Sequence, residues 1–320
     1  MDCIELNDGR ICDIVPWHTK QKHVFIEKYF EIWENNVGRT GKFKPFLSIF
    51  DLYSSNGWCY CDDTDKYGDS EKIWQGSALL SAECLEKYEH SKKLFLNTYH
   101  ENPEKRSQQK KSLNQALQRF PKIFNDTIIR DLPISESIDE AIKYLDPNWP
   151  SIWILDPCAA SHLPWEIVEK IANQQAIIPN FGIRKPEMII NLMTSGLQRN
   201  VDRSEKMVKT ALGFNKDEWE EKFDQKLDVG LNYREAIIDI YGEKLKTLYD
   251  RPPIITEVYD TTQKAIVYCL FLCTDSKAGH YMFKVNKLQE FKNWVMYEWG
   301  NTADMIAKRK SLGLGQKTLF

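Results

Sequence analysis

The chain has 320 residues, of which 42% are hydrophobic and 28% charged, and its formal net charge is −3. That balance excludes a disordered or fibrous chain and leaves room for one large α/β domain with insertions. The small negative charge gives no global attraction to nucleic acid or anionic membrane.

No apolar run approaches the roughly 18 residues that span a bilayer, and the first residues lack a signal-peptide core, so a cytoplasmic location is expected. Most of the eight cysteines sit inside apolar segments, which suits reduced thiols. Cys59-x-Cys61 and Cys269-x-x-x-Cys273 lack the spacing of a zinc site, so no metal is expected.

In chain order, residues 1–17 are weakly patterned. From His18 to about Asn36 the period turns helical, with Phe25, Tyr29, Ile32 and Trp33 on one face. Gly38–Lys44 is a basic connection into the first strand, Phe46 to Phe50, which Asp51 closes. A turn-forming loop then runs to Gly57. Strand, acid and small-residue loop are how a doubly wound sheet builds a nucleotide pocket at the carboxyl end of its first strand. An ordinary strand-to-helix turn is the alternative, because one glycine stands where a Gly-x-Gly pattern is expected.

Trp58 to Gln75 reads as an insertion, a loop or small hairpin, and its aspartates lack the spacing of a calcium loop. Ser77 caps a helix through Tyr88. The second strand, Lys93–Tyr99, delivers Glu101 where such folds hold a ribose. Helix 104–119 carries Lys105, Arg106, Lys110, Lys111 and Arg119, either a solvated face or a phosphate-contacting one. A third strand, Asp126–Ile129, runs into Asp131, and Ser135 caps a helix through Leu145. The fourth, Ser151–Leu155, delivers Asp156-Pro157 and a helix from His162 to Asn173; the fifth, Glu187–Leu192, carries Asn191. Strand, loop and helix recurring five times argue for a parallel sheet with helices on both faces.

Residues 203–250 read as a helical insert of three helices, Ser204–Leu212, Asp217–Gln225 and Tyr233–Tyr249. Two β segments follow, Ile254–Tyr259 and Ile266–Cys273, turned by Asp260-Thr261-Thr262, then a helix near Leu288–Trp299 and a flexible basic tail over 307–320. The whole reads as a single domain over 1–320.

Asp51, Glu101, Asp131, Asp156 and Asn191 then all fall at carboxyl ends of strands, where a crevice forms. Such a set suits an adenosyl cofactor, with one carboxylate for the ribose, one near the adenine amine and one at the reacting end. Enzymes that methylate base amines carry an Asp-Pro-Pro-Tyr-like tetrad at the Asp156-Pro157 place: its acid takes the amine hydrogens and its ring stacks on a flipped base. Here Ala159 stands at the ring position, and a helix cap is the other reading of Asp156. No Gly-x-Ser-x-Gly elbow, His-x-x-x-His pair or Walker loop is present.

With these residues laid out, the chain resembles the three-Cys-motif partner family. The stretches that carry the likeness are Trp17-His18-Thr19-Lys20, Asp51 to Gly57, Gly76-Ser77, Glu101-Asn102-Pro103-Glu104 and Asp131. Leu155-Asp156-Pro157, Leu163-Pro164-Trp165-Glu166, Ile190-Asn191 to Arg199-Asn200, and Leu272-Cys273-Thr274 with Gly279 and Met282 complete it over roughly 17–299. The resemblance implies a Rossmann-like, class I methyltransferase-type sheet, mostly parallel with an antiparallel carboxyl-terminal strand. It implies S-adenosylmethionine held by Asp51, Tyr53, Gly57, Glu101 and Asp131, and a reacting centre at Asp156 and Pro157. It also implies a radical-SAM-like partner that bears the three-cysteine motif, and an association with phage or mobile elements. The family loop reads like Asp-x-Phe-Ala-Gly-x-Gly, whereas here Tyr53 and Ser55 depart from it. Two readings therefore stand: a SAM-dependent methyltransferase of unknown acceptor, or a catalytically degenerate subunit that binds a partner protein, or nucleic acid through 105–119 and 308–317.

Overall fold

The structure, a computed structural model, describes residues 2–34, 46–68, 70–149, 151–178, 182–194, 197, 205–259, 266–277, 279–280 and 294–311. They form two compact units, Met1–Ile154 with Ala176–Ile183, and Leu155–Gln175 with Arg184–Phe320.

The first unit opens with β1 (Cys3–Glu5), β2 (Ile11–Ile14) and α1 (His18–Trp33), and continues through β3 (Leu47–Asp51), β4 (Trp58–Tyr60), β5 (Ile73–Gln75) and α2 (Ser77–Glu86). Then come β6 (Lys92–Asn97), α3 (Pro103–Leu117), α4 (Pro121–Phe124), β7 (Thr127–Arg130), α5 (Ile134–Ile142) and β8 (Ser151–Leu155). A two-stranded piece, β9 (Ala176–Ile178) and β10 (Gly182–Arg184), completes it. The main strands run in the order β7-β6-β3-β8, with β3 parallel to β6 and β8 and β6 parallel to β7. All five residues of β3 and all five of β8 are buried, the near-continuous apolar run expected of parallel strands covered on both faces. Phe50 stacks on Trp153 at 4.3 Å between ring centroids; burying a ring of this size contributes about 1.5–3 kcal/mol.

A second, small sheet lies in the same unit, ordered β1-β2-β4-β5. It pairs the amino-terminal residues with the 58–75 segment, β2 running parallel to β4 and β4 antiparallel to β5. Residues 3–5 and 11–14, which carry little pattern alone, become strands because Cys12, Asp13 and Ile14 pair with Trp58, Cys59 and Tyr60.

The second unit contains α6 (Trp165–Ala172), β11 (Glu187–Leu192), α7 (Glu205–Leu212), α8 (Lys216–Asp228) and α9 (Tyr233–Leu248). It ends with β12 (Ile254–Tyr259), β13 (Ile266–Cys273), β14 (Trp294–Glu298) and α10 (Thr302–Ser311). Asn215 with Glu218, and Asn232 with Glu235, form capping boxes that start α8 and α9. The strands run β11-β13-β12-β14, every neighbouring pair antiparallel. Glu257 on β12 is fully buried, and accepts from Tyr259 Oη and Tyr297 Oη at 2.7 Å each and from Arg309 Nε at 2.9 Å. Arg309 also bridges to Glu235, so α10 is fixed to the sheet by its own cation.

Several expectations need correction. The helix near Leu288–Trp299 is not formed over 294–298, which is strand β14. Its Trp294, Val295 and Tyr297 are buried against β12, and long-range pairing decides an apolar run that periodicity leaves ambiguous. The residue that caps α2 is Gly76 rather than Ser77, and α5 is preceded by Pro133, with Ser135 inside the helix. The stretch from Ala307, read as a tail, is helical as far as Ser311. The connection at Gly38–Lys44, the turn at Asp260-Thr261-Thr262 and residues 312–320 lie outside the described residues. Among the described residues, no helix is long and apolar enough to cross a membrane.

Candidate functional site

In the first unit Asp51 closes β3 and Asp131 follows β7 directly, whereas Glu101 lies four residues past the end of β6, and each acid is used differently. Asp51, the last residue of β3, is fully buried. Its Oδ1 accepts from the Tyr53 backbone N–H at 3.0 Å and its Oδ2 from the Ser77 hydroxyl at 2.6 Å, while Ser54 Oγ donates to its carbonyl at 3.1 Å. A carboxylate without water contact needs such donors. Asp51 thereby ties the loop after β3 to the start of α2.

Gly57 ends that loop at φ +89°, a left-handed conformation that only glycine adopts without strain. A Cβ there would also meet Leu113 Cδ1 at 3.0 Å and Leu79 Cγ at 3.1 Å. The glycine serves the close packing of the loop on α2 and α3.

Asp13 of β2 holds the middle of the loop. Its buried carboxylate accepts from Ser55 Oγ at 3.0 Å, from Asn56 Nδ2 at 2.7 Å and from the Asn56 backbone at 3.2 Å. Burial pushes its carboxyl above the usual range, and the Ser55 and Asn56 hydrogen bonds oppose that. Ser55 Oγ, having given its hydrogen to Asp13, accepts from Gln109 Nε2 at 3.1 Å. This relay fixes the orientation of both amides. It leaves two buried acceptors, Asn56 Oδ1 and Gln109 Oε1, with no donor among the described residues.

At the end of β6, the buried Asn97 donates from Nδ2 to Leu132 O at 3.0 Å and Leu52 O at 3.4 Å, and accepts from Leu132 N at 3.0 Å. One side chain so joins the segments that follow β3 and β7. Glu101 lies beyond, exposed, between His100 and the α3 cap Asn102. Arg106 donates to His100 O at 2.9 Å and stacks over Tyr99 at 4.5 Å. Asp131 is half-buried and paired with Lys110 Nζ at 3.1 Å. Two cations of the basic helix are thus already engaged.

In the second unit, Asp156 is half-buried and Pro157 buried. Asn191 Nδ2 donates to Asp156 Oδ1 at 2.7 Å, which fixes the amide orientation, since the flipped form would set oxygen against oxygen. Asn191 is buried, and its Oδ1 has no donor among the described residues. Cys158 follows Pro157 and is exposed, its Sγ 3.1 Å from His162 Nδ1. That contact brings the thiol below its ordinary range, against the effect of burial.

Asp13, Asn97 and Gln109 escape a reading from sequence because they act through other residues. The signal available for Asp13 was the Ile11-Cys12-Asp13-Ile14-Val15 run, a short strand pattern with an acid inside it. Ser77 was visible at a helix start, where a cap is the default role; its bond to Asp51 depends on a strand 26 positions away.

No protein-family profile matches the chain, and no curated protein matches it in sequence. Among solved structures it is similar to a DUF519-family protein of Legionella pneumophila, at 8% identity over 88% of this chain and 97% of that chain, with a TM-score of 0.49. It is also similar to the DszA carbon methyltransferase, at 10% identity over 81% of this chain and 55% of that chain, with a TM-score of 0.42. Both scores fall below 0.5, so the functional reading stands on the chain's own strands and residues.

Proposed function

We propose that this is a class I methyltransferase-type protein that binds S-adenosylmethionine at the carboxyl ends of the parallel strands in its first unit. The strand order within each unit carries the reading. Counting core strands along the chain, β3, β6, β7 and β8 are first to fourth and lie in the order 3-2-1-4, all parallel. In the second unit β11, β12 and β13 are fifth to seventh and lie in the order 5-7-6, the seventh antiparallel to both neighbours. These are the orders of a class I methyltransferase sheet, with β14 as an added strand.

The residues fit the cofactor. It carries an ammonium, ribose hydroxyls and an adenine amine, all donors. Asn56 Oδ1 and Gln109 Oε1 are buried acceptors that lack one among the described residues, and Glu101 stands exposed past the second core strand. Glu101 would hold the ribose and the Asp51–Gly57 loop the amino-acid end, with Asp51 and Tyr53 shaping the loop. Asp131 would assist only on release from Lys110. The bound group supplies an electrophilic methyl on a sulfonium. Asp156, oriented by Asn191, accepts hydrogens from an amine and so turns its lone pair outward. The resemblance to the three-Cys-motif partner family belongs to this proposal, and with it the radical-SAM-like partner protein.

A second reading, a degenerate subunit, is favoured by one observation: Leu79 and Leu113 fill the space beside Gly57. Thermal unfolding with S-adenosylmethionine separates the two. Ligand at a hundred times its Kd adds about 2.7 kcal/mol, a rise in Tm that Glu101→Ala abolishes. An unchanged Tm at millimolar ligand supports the degenerate subunit.

A further inference from the structure

Cys158 differs from the other cysteines in both surroundings and access. Cys12, Cys59, Cys61, Cys84, Cys269 and Cys273 are buried. Cys3 is exposed, but burial of its sulfur and the neighbouring Asp13 carboxylate push its thiol up. Cys158 is exposed and has an imidazole nitrogen at 3.1 Å. The pair is built by the backbone: a 3-10 turn, Ala160–His162, follows the cysteine, and His162 N donates to Ala159 O at 3.0 Å. That turn returns the imidazole over the sulfur four residues earlier. Helix α7, packed on the turn, brings Glu205, Lys206 and Lys209 as its charges, and Asp156 lies two residues before the thiol with one oxygen held by Asn191.

We propose that Cys158 and His162 form a nucleophilic pair that captures small disulfides as a mixed disulfide on Cys158. In the exchange, Sγ attacks one sulfur of the disulfide, a new S–S bond forms and the old one breaks. The electron pair leaves on the distal sulfur, which takes a proton from the His162 imidazolium. One disulfide and one protein thiol give one mixed disulfide and one small thiol, with no external oxidant. The modification seats a group two residues from Asp156. The inference does not depend on the cofactor reading.

The full-length native chain is mixed with dithiodipyridine at pH 7, release of thiopyridone is followed by absorbance, and the modified cysteine is located by peptide mass mapping. The expected result is one fast thiol per chain, mapped to Cys158, reacting on the order of tenfold faster than free cysteine at that pH. His162→Asn should lower that rate by a similar factor and move its pH midpoint upward, while Cys3 keeps its own rate as a check that the variant is folded. Oxidised glutathione should load the same residue. Cys158 reacting no faster than Cys3 in the unmutated chain overturns the proposal. So does a His162→Asn chain with unchanged rate and midpoint.

Discussion

The Ser77 hydroxyl donates to Asp51 Oδ2 at 2.6 Å, and joins the start of α2 to the end of β3. Because Asp51 is fully buried, removing the Ser77 hydroxyl takes a hydrogen-bond donor from a carboxylate that water does not reach. Ser77→Ala should therefore cost about 1–3 kcal/mol in urea unfolding. A loss within error would mean that another donor reaches that oxygen.

Asn97 makes a parallel case one strand over. It is buried and serves both Leu52 and Leu132, so Asn97→Leu removes three hydrogen bonds and strands the Leu132 N–H and carbonyl. The expected cost is about 2 kcal/mol or more, with faster amide exchange at Leu132 than at residues of β12. Equal protection at Leu132 in both proteins would refute the clamp.

Arg309 and Glu257 form a buried ion pair in the second unit. Removing the cation alone, Arg309→Ala, leaves Glu257 buried with, among the described residues, two tyrosine hydroxyls, and should cost about 3–5 kcal/mol. Arg309→Met with Glu257→Gln should cost clearly less than the sum of the single changes, measured as a double-mutant cycle.

Lys244 gives a pH dependence. Its ammonium lies over Trp165 at 4.4 Å and Phe214 at 4.1 Å and donates to Leu212 O at 2.6 Å. Burial lowers it from 10.5 to about 8. Below pH 8 it is charged in both states. From about 8 to 10.5 the unfolded chain binds more protons than the folded one, so stability rises with pH. The Tm of the native chain should gain on that of Lys244→Met between pH 7 and 9.5, and a constant difference would contradict the assignment.

Much of the fold was legible where the pattern is local. β3, β8 and β11 are apolar runs too short for helices, and they stand where the period of the sequence puts them. Helices α7, α8 and α9 begin within a residue of the expected positions, two of them at Asn-x-x-Glu capping boxes. What escaped depends on distant partners. β2 exists because β4 pairs with it, β1 because β2 does, and β14 because β12 does. The acids at the strand ends were readable; their duties were not. Asp51 looks like a ligand-binding acid and spends both oxygens on Tyr53 and Ser77, whereas Asp13, inconspicuous in sequence, governs the loop.

Whether the first unit holds S-adenosylmethionine, as proposed, is decided by calorimetric titration of the full chain with that compound and its demethylated product. The expected result is one site per chain with micromolar affinity, lost in Glu101→Ala while the variant keeps its unfolding transition. Heats indistinguishable from dilution, with a protein that unfolds cooperatively, would contradict it.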